Sequence, residues 1–496
     1  MYLLSHSKTK RPLVLAAVML AMFMSAVEAT IVSTAMPSIV SELGGFSLYS
    51  WVFSSYLLMQ VATILVYGKI SDLFGRKPVF FIGVTIFLIG SVLCGLANSM
   101  EKLIIYRFLQ GLGAGAVMPI ATTIVGDMYT KEERASIQGY LSSVWGISAV
   151  LGPVLGGIFV KYVGWVYVFW MNIPLGLLAI IGVTLFLHED VEKKRHSIDY
   201  IGSFLLVISV TALMLILVEG GVHWAWNSWQ IIGLSALFSL GFLLFFIQEK
   251  RAAEPMMPLH IWKYRAIGVS NLASFTTGMI LMGVSSFLPA FVQGVMERTP
   301  MVAGFTLTTM SIGWPIAATV AGKLVIKVGY RKLTVLGAIA IIIGSLIFVS
   351  LSPEKGPFWA ALGSFFVGVG MGLTTTSFIV SIQSTVGWNV RGIATASNMF
   401  MRTLGSAVGA ALLGGVLNSG LQSFIVKKGL KEQVSIETAN LLLDEEQRSQ
   451  LLESTKSLLQ EGLTISLNHV YWGVFVIAVL TLFIVYFMPE TEENTK

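Results

Sequence analysis

Charge, cysteine and histidine are all scarce in this chain. Asp, Glu, Lys and Arg make up only 12% of its 496 residues, against 55% apolar. Soluble domains carry roughly twice that charged share, so most of this surface is not built to face water. The single cysteine, Cys94, excludes an intrachain disulfide and a thiolate metal cluster, and its place inside an apolar run assigns it to packing. The six histidines (His6, His188, His196, His223, His260 and His469) lie in loops or near the ends of apolar runs. They share no common depth, which excludes a membrane enzyme built on a histidine cluster, and no metal site is expected. The phosphate-binding pattern Gly-x-x-x-x-Gly-Lys-Ser/Thr is missing, so ATP-driven work at such a loop is excluded.

Long apolar sequence is what the chain has in quantity, with a mean hydropathy of +0.80. Fourteen apolar runs begin near Leu13, Trp51, Val79, Leu103, Ser136, Trp165, Ile198, Gln230, Ile267, Val302, Leu333, Phe358, Ala394 and Tyr471. Each is close to the ~20 residues that cross a ~30 Å hydrocarbon core as a helix. The first run reaches about Ile39, longer than a signal-peptide core, and reads as a span. The net charge of +6 reports orientation rather than a nucleic-acid partner. Loops on one side carry Lys69, Arg76, Lys77, Lys131, Arg134 and most other cations, whereas the short loops on the opposite side hold only Lys102, Lys161, Arg298 and Lys355. Cations accumulate in cytoplasmic loops, so both termini are expected in the cytoplasm. Trp165, Trp224, Trp226 and Trp229 are expected to sit in the interfacial belt. The expectation is an all-α integral membrane protein with fourteen transmembrane helices, multi-pass in the cell membrane.

An internal repeat sets the organisation. Gly68-Lys-Ile-Ser-Asp-Leu-Phe-Gly-Arg-Lys77 reappears as Gly322-Lys-Leu-Val-Ile-Lys-Val-Gly-Tyr-Arg-Lys332, offset by 254 residues between leading glycines. Arg134 pairs with Arg391, Gly156-Gly157 with Gly414-Gly415, and Pro37 with Pro289, at offsets of 257, 258 and 252. Two six-helix bundles follow, residues 1–190 and 264–496, with a linker and two inserted spans at 191–263 and an outer loop at 419–469. Parallel repeats of this kind place a substrate site where the halves meet, near mid-membrane. The outer loop recurs in leucines at helical spacing among charges, which reads as an amphipathic helix on the rim.

One apolar stretch, Gly146 to Gly157, is unusually rich in Gly and Pro. Gly152 and Gly156 share a helix face and admit a neighbouring backbone, and Pro153 removes one ladder bond and bends the helix. By spacing alone this is a packing motif of any helical membrane bundle.

Together these residues resemble a known family. Gly68–Lys77 looks like the loop signature between spans 2 and 3 of the major facilitator superfamily, and Arg107-Phe-Leu-Gln-Gly-Leu-Gly-Ala-Gly115 resembles its span 4 motif. Gly146, Gly152, Pro153, Gly156 and Gly157 are similar to its span 5 antiporter motif. Glu28-Ala-Thr-Ile-Val-Ser-Thr-Ala-Met-Pro37 and Phe169-Trp-Met-Asn-Ile-Pro-Leu-Gly176 resemble span 1 and span 6 signatures of fourteen-span drug:H⁺ antiporters of the EmrB/QacA type. The resemblance implies a major facilitator fold of two six-helix bundles plus two inserted helices. It also implies a bacterial multidrug exporter driven by the proton gradient, monomeric, with no cofactor. Asp72, Arg76, Arg134 and Asp127 would form its inner gate, Asp72 pairing with Arg134 and capping a helix of the other half. Ile326 stands in the second repeat where Asp72 stands in the first. The antiporter motif would set the direction of transport.

Charges inside spans are few and therefore informative. Glu28 lies ~22 Å along span 1, and Arg107 ~6 Å into span 4 from the opposite entry, so the two reach a similar depth. The pair is either the proton-coupling site or a permanent lock between spans 1 and 4. Arg402 falls near mid-membrane in span 13, where a structural and a functional role are both open. Candidate cavity residues are the polar or aromatic groups Tyr56, Gln60, Trp145, Asn172, Phe291, Gln293 and Trp314, whose ring faces suit flat lipophilic cations. The expected activity is proton-coupled efflux of lipophilic, mainly cationic drugs. A narrower exporter of a tetracycline-type antibiotic, lipid or siderophore, or a uniporter or importer, is the alternative on the same scaffold.

Overall fold

The computed structural model describes residues 9–44, 48–189, 199–221, 224–252, 255, 257, 259–428, 442, 448 and 453–490. Among them the chain is helical throughout, with no strand beyond one isolated bridge. The first repeat holds α1 (Arg11–Leu43), α2 (Tyr49–Phe74), α3 (Arg76–Gly95), α4 (Met100–Met128), α5 (Lys131–Tyr162), α6 (Val166–Trp170) and α7 (Asn172–Phe186). The inserted helices are α8 (Tyr200–Glu219) and α9 (Trp229–Arg251). The second repeat holds α10 (Arg265–Ala290), α11 (Pro300–Val328), α12 (Tyr330–Val349), α13 (Gly356–Thr385), α14 (Trp388–Lys427) and α15 (Glu453–Tyr486). Thirteen described helical segments are long and apolar enough to cross a membrane, the fifth of them combining α6 and α7, which join at Met171, and the protein is a multi-pass membrane protein. The 32-residue α5 carries the Gly146–Gly157 stretch.

Local sequence explains where the helices begin and bend. Ser99 caps α4, Thr299 caps α11 with Pro300 behind it, and Thr130 with Glu133 forms a capping box on α5. Pro289 cannot donate to the ladder, and α10 runs into a single π-helical turn, Phe291–Val295, just beyond it. Gly75 and Gly329, 254 residues apart, take φ of 95° and 89° between α2 and α3 and between α11 and α12. Only glycine adopts that backbone without strain, so the repeat extends to the turn that ends its loop signature.

The chain divides into two compact units: Met1–Gly268 with Ile379–Phe400 and Glu492–Lys496, and Val269–Phe378 with Met401–Thr491. The inserted helices therefore group with the first repeat, α8 packing on α9 and on α2. So do the last turns of α13 and the first turns of α14. In the first unit α3 and α2 pack on α4, while α1 packs on α5 and α7. The approach is close enough that a Cβ on Gly113 would stand 2.3 Å from the Phe87 amide nitrogen. Its apolar core runs through Val14, Met24, Phe80, Phe87, Val117 and Ile120. In the second unit Phe291, Phe348 and Tyr471 anchor the core.

Two expectations change here. Trp165 is buried rather than interfacial: its indole N–H donates to Glu42 Oε2 at 2.8 Å, and its ring meets Phe169 edge-on. Trp226 and Trp229 are exposed. The outer loop is shorter than 419–469, because α14 continues to Lys427 and α15 already begins at Glu453. The predicted rim helix lies mostly outside the described residues.

Candidate functional site

Glu28 stands on α1, fully buried. Its Oε1 lies 2.5 Å from Arg107 Nη1 on α4, and its Oε2 accepts from Asn172 Nδ2 on α7 at 2.7 Å. Arg107 spends its other donors locally: Nη1 also reaches Gln110 Oε1 at 2.7 Å, and Nε donates to the Val52 carbonyl of α2 at 3.0 Å. Gln110 in turn donates from Nε2 to Ser91 Oγ on α3 at 2.8 Å. The guanidinium lies over the Tyr56 ring, 4.2 Å from its centre. Side chains of α4 and α7 thus hold the α1 carboxylate, and side chains of α2 and α3 hold those in turn. Such a group tolerates burial only because a cation and hydrogen-bond donors surround it. The similar depth of Glu28 and Arg107 in the sequence becomes direct contact. Asn172, foreseen as a cavity residue, is instead a ligand of the carboxylate. Ser91 went unnoticed, since a serine in an apolar run gives no signal. Gln110 could have been found from its place one turn after Arg107.

A second cluster gathers at the end of the bundle where α2, α3, α4 and α14 meet. Asp72 Oδ1 and Oδ2 accept from the backbone amides of Gly392 and Ile393, near the start of α14, at 2.9 and 2.8 Å. A carboxylate there also meets the positive end of the helix dipole. Its ion partner is Arg76 at 2.5 Å, across the Gly75 turn, rather than the expected Arg134. Arg76 Nε continues to Asp127 Oδ2 at 2.9 Å, its Nη2 donates to the Trp388 carbonyl at 3.0 Å, and its guanidinium covers the Trp388 ring. Asp127 Oδ1 takes Arg391 at 2.6 Å. Arg134 Nη1 donates to the Gln383 carbonyl and Arg391 Nη1 to the Gly126 carbonyl, each at 3.2 Å. Both the arginines and the two acceptors are 257 residues apart, so the repeat is reciprocal at this point. Glu189 was not anticipated. It accepts from the Arg76 and Lys77 amides at 2.8 and 2.9 Å, capping α3, and burial pushes its carboxyl above the usual range despite those donors.

The glycines of α5 face α1. A Cβ on Gly152 would stand 2.0 Å from Thr30 Oγ1, and one on Gly156 would meet Thr34 and the Ile31 carbonyl at 3.0–3.1 Å. Thr30 Oγ1 donates across to the Ser148 carbonyl at 3.3 Å. These contacts seat α1 two residues after Glu28. Gly157 meets nothing within 4 Å. In the second repeat the expected counterparts, Gly414 and Gly415, make no close contact. Gly405 and Gly409 take that role, pressed on Phe275 and Met279 of α10, and they lie 253 residues beyond Gly152 and Gly156. Sequence offset alone chose the wrong glycine pair because α14 carries six glycines.

The remaining candidates are dispersed. Trp145 is exposed on α5 and Gln60 is half-buried on α2. Phe291 is core, its ring 6.0 Å from Tyr471, and Trp314 packs against the same core. Gln293 lies in the π-turn and its carbonyl accepts from Arg448 at 2.7 Å. Arg402 is half-buried on α14, and no carboxylate pairs with it among the described residues. No group of three or more metal-ligating side chains occurs among those residues.

Residues 18–410 match the family model of the Major Facilitator Superfamily. The chain belongs to that superfamily. This facilitator-family chain is 33% identical to the multidrug transporter protein MdtP of Bacillus subtilis, over 99% of its own length and 95% of that protein. It is equally identical to multidrug resistance protein 3 of the same organism, over 96% and 95%. Among solved structures it resembles the human organic anion transporter MFSD10, with a TM-score of 0.65, 13% identity and coverage of 96% and 99%, a likeness of fold. The family makes the chain a transporter of the major facilitator type.

Proposed function

We propose that the chain is a proton-coupled exporter of lipophilic small molecules, working by alternating access in the cell membrane with both termini in the cytoplasm. Glu28 carries the reading: a fully buried carboxylate held by Arg107 and Asn172, within a network of side chains from five helices that include its own. Its charge is balanced by Arg107, so a proton arriving from outside leaves Arg107 in excess and changes what holds α1, α4 and α7 together. That change of balance is the coupling step. The Asp72 cluster is the cytoplasmic gate, closed when the carboxylate holds the amides of Gly392 and Ile393. The names of the two Bacillus relatives support drug efflux.

A preference for cations finds less support. The Tyr56 ring face, suited to a cationic drug, already carries Arg107, and Glu28 is already paired. Inside-out membrane vesicles with an imposed pH gradient test the reading. Glu28→Gln should abolish gradient-driven accumulation of a fluorescent substrate while the protein remains in the membrane. Full accumulation by that variant would remove Glu28 from the coupling step.

A further inference from the structure

Two side-chain amides touch the Glu28 cluster, and they are held differently. Gln110 is fixed at both ends, its Oε1 on Arg107 at 2.7 Å and its Nε2 on Ser91 at 2.8 Å. Turning it over would set donor against donor at Arg107. Asn172 is held on one side only. Its Nδ2 donates to Glu28 Oε2 at 2.7 Å and to Ser91 Oγ at 3.3 Å, while its Oδ1 is buried with no hydrogen-bond partner among the described residues. Leaving an amide oxygen buried and unpaired costs free energy, so the arrangement calls for a reason. Asn172 also follows Met171, where α6 and α7 join with a helical φ of −60° and ψ of −23°. The orientation of its amide is therefore set by what Glu28 presents to it.

Resting on the proton-coupling reading, we propose that Asn172 is a positioning residue that turns its amide over when Glu28 is protonated. With Glu28 ionised, Nδ2–H donates to Oε2, as seen. When a proton from solvent adds to Oε2, that oxygen becomes a donor and faces the amide N–H donor to donor. Rotation of the amide by half a turn brings Oδ1 to the place of Nδ2, where it accepts from the new Oε2–H. Ser91 Oγ, which now accepts from Nδ2, can donate to Oδ1 in the turned state. Arg107 keeps Oε1 throughout. The other titratable groups around this carboxylate are Tyr56 on α2 and Cys94 on α3, whose Sγ lies 3.8 Å from Gln110 Oε1. Neither touches Oε2, so the amide is the group that registers the proton there. Because Asn172 stands where α6 joins α7, the turn passes from a proton on α1 to the span formed by α6 and α7.

Infrared difference spectra of the purified full-length protein in lipid, recorded across a pH titration, test this. A carboxylic acid C=O band that vanishes in Glu28→Gln belongs to protonated Glu28. In the wild type a side-chain amide band should shift with the same pH midpoint. In Asn172→Leu, similar in shape and without the amide, the acid band should move to higher frequency, having lost its acceptor. The midpoint should rise by roughly one pH unit, because the charge-assisted bond to the carboxylate is the stronger of the two that are lost. An acid band that titrates in the wild type without any amide change, or that is unmoved in Asn172→Leu, overturns the amide proposal and leaves coupling intact. If the wild type has no band that Glu28→Gln removes, the coupling reading itself fails. The wild-type amide measurement decides the matter even if Asn172→Leu does not fold.

Discussion

Replacing Gly152 with alanine tests whether the α5 glycines act through α1. The added Cβ would lie 2.0 Å from Thr30 Oγ1 and 2.9 Å from Thr30 Cβ, against ordinary carbon contacts of about 3.5–4.0 Å. Turning the threonine aside would break its bonds to the Val27 and Ser148 carbonyls, at 3.0 and 3.3 Å. The remaining route is separation of α1 from α5 by about 1.5 Å at this level, the shortfall between the built contact and a normal one. Overpacking of this kind costs about 1–3 kcal/mol. Its functional effect should exceed its structural one. Glu28 is two residues away, and its bonds to Arg107 and Asn172, at 2.5 and 2.7 Å, cease to be hydrogen bonds beyond about 3.5 Å. We expect Gly152→Ala to lower the unfolding temperature modestly and gradient-driven efflux at least tenfold, and Gly152→Leu to abolish efflux with protein still in the membrane. Thr30→Ala added to Gly152→Ala removes the 2.0 Å contact and should restore part of both, with a coupling of about 0.5–3 kcal/mol in the double-mutant cycle. The assays are thermal unfolding in detergent and vesicle transport on the same preparations. If Gly152→Ala alone is as stable and as active as the parent, the α1–α5 contact does not position Glu28.

Asp127 offers a complementary test, because it holds Arg76 at 2.9 Å and Arg391 at 2.6 Å. Asp127→Ala leaves two arginines without that carboxylate and should cost about 3–5 kcal/mol by thermal or denaturant unfolding, while Arg391→Gln should cost clearly less. Equal losses would mean that the cluster is not organised around Asp127. Within the second unit, Glu297 is held below the usual carboxylate range by hydrogen bonds from Lys456 and Gln460. For a carboxyl depressed on folding, the contribution is present above the unfolded value near 4.3 and is lost as pH falls through the lower folded value. The wild type should therefore unfold at a higher temperature than Glu297→Gln at neutral pH, with the gap closing below about pH 4; a gap independent of pH would remove the ion pair as its cause.

The fold was largely legible because lipid leaves few choices for a backbone: apolar runs of the right length must be helices. The repeat was legible because its loop signature needs glycine at a fixed turn, Gly75 and Gly329. Glu28 and Arg107 could be matched by depth, since rise per residue is fixed in a helix. Azimuth was not accessible in the same way. Depth cannot tell which face of α7 looks at α1, so Asn172 was assigned to a cavity rather than to Glu28. Phe291 illustrates the same limit, since an aromatic ring in a span suits a binding face and a core equally well. The end cluster was legible in composition but not in pairing. Asp72 and Arg76 stand on either side of the Gly75 turn between α2 and α3, and that short reach wins over Arg134.

The two repeats also differ in mechanics. Gly152 and Gly156 draw α5 onto α1, and Gly405 and Gly409 draw α14 onto α10 in the same manner. At the position after the first glycine of each pair stand Pro153 and Ser406. Proline has no N–H to give its own helix, whereas Ser406 has one and adds a hydroxyl that bonds both the Arg402 carbonyl and the Gly278 carbonyl of α10, each at 3.2 Å. One strut of the duplicated frame therefore has a flexure cut into it, and its twin is riveted at the same station. Under equal load α5 yields first.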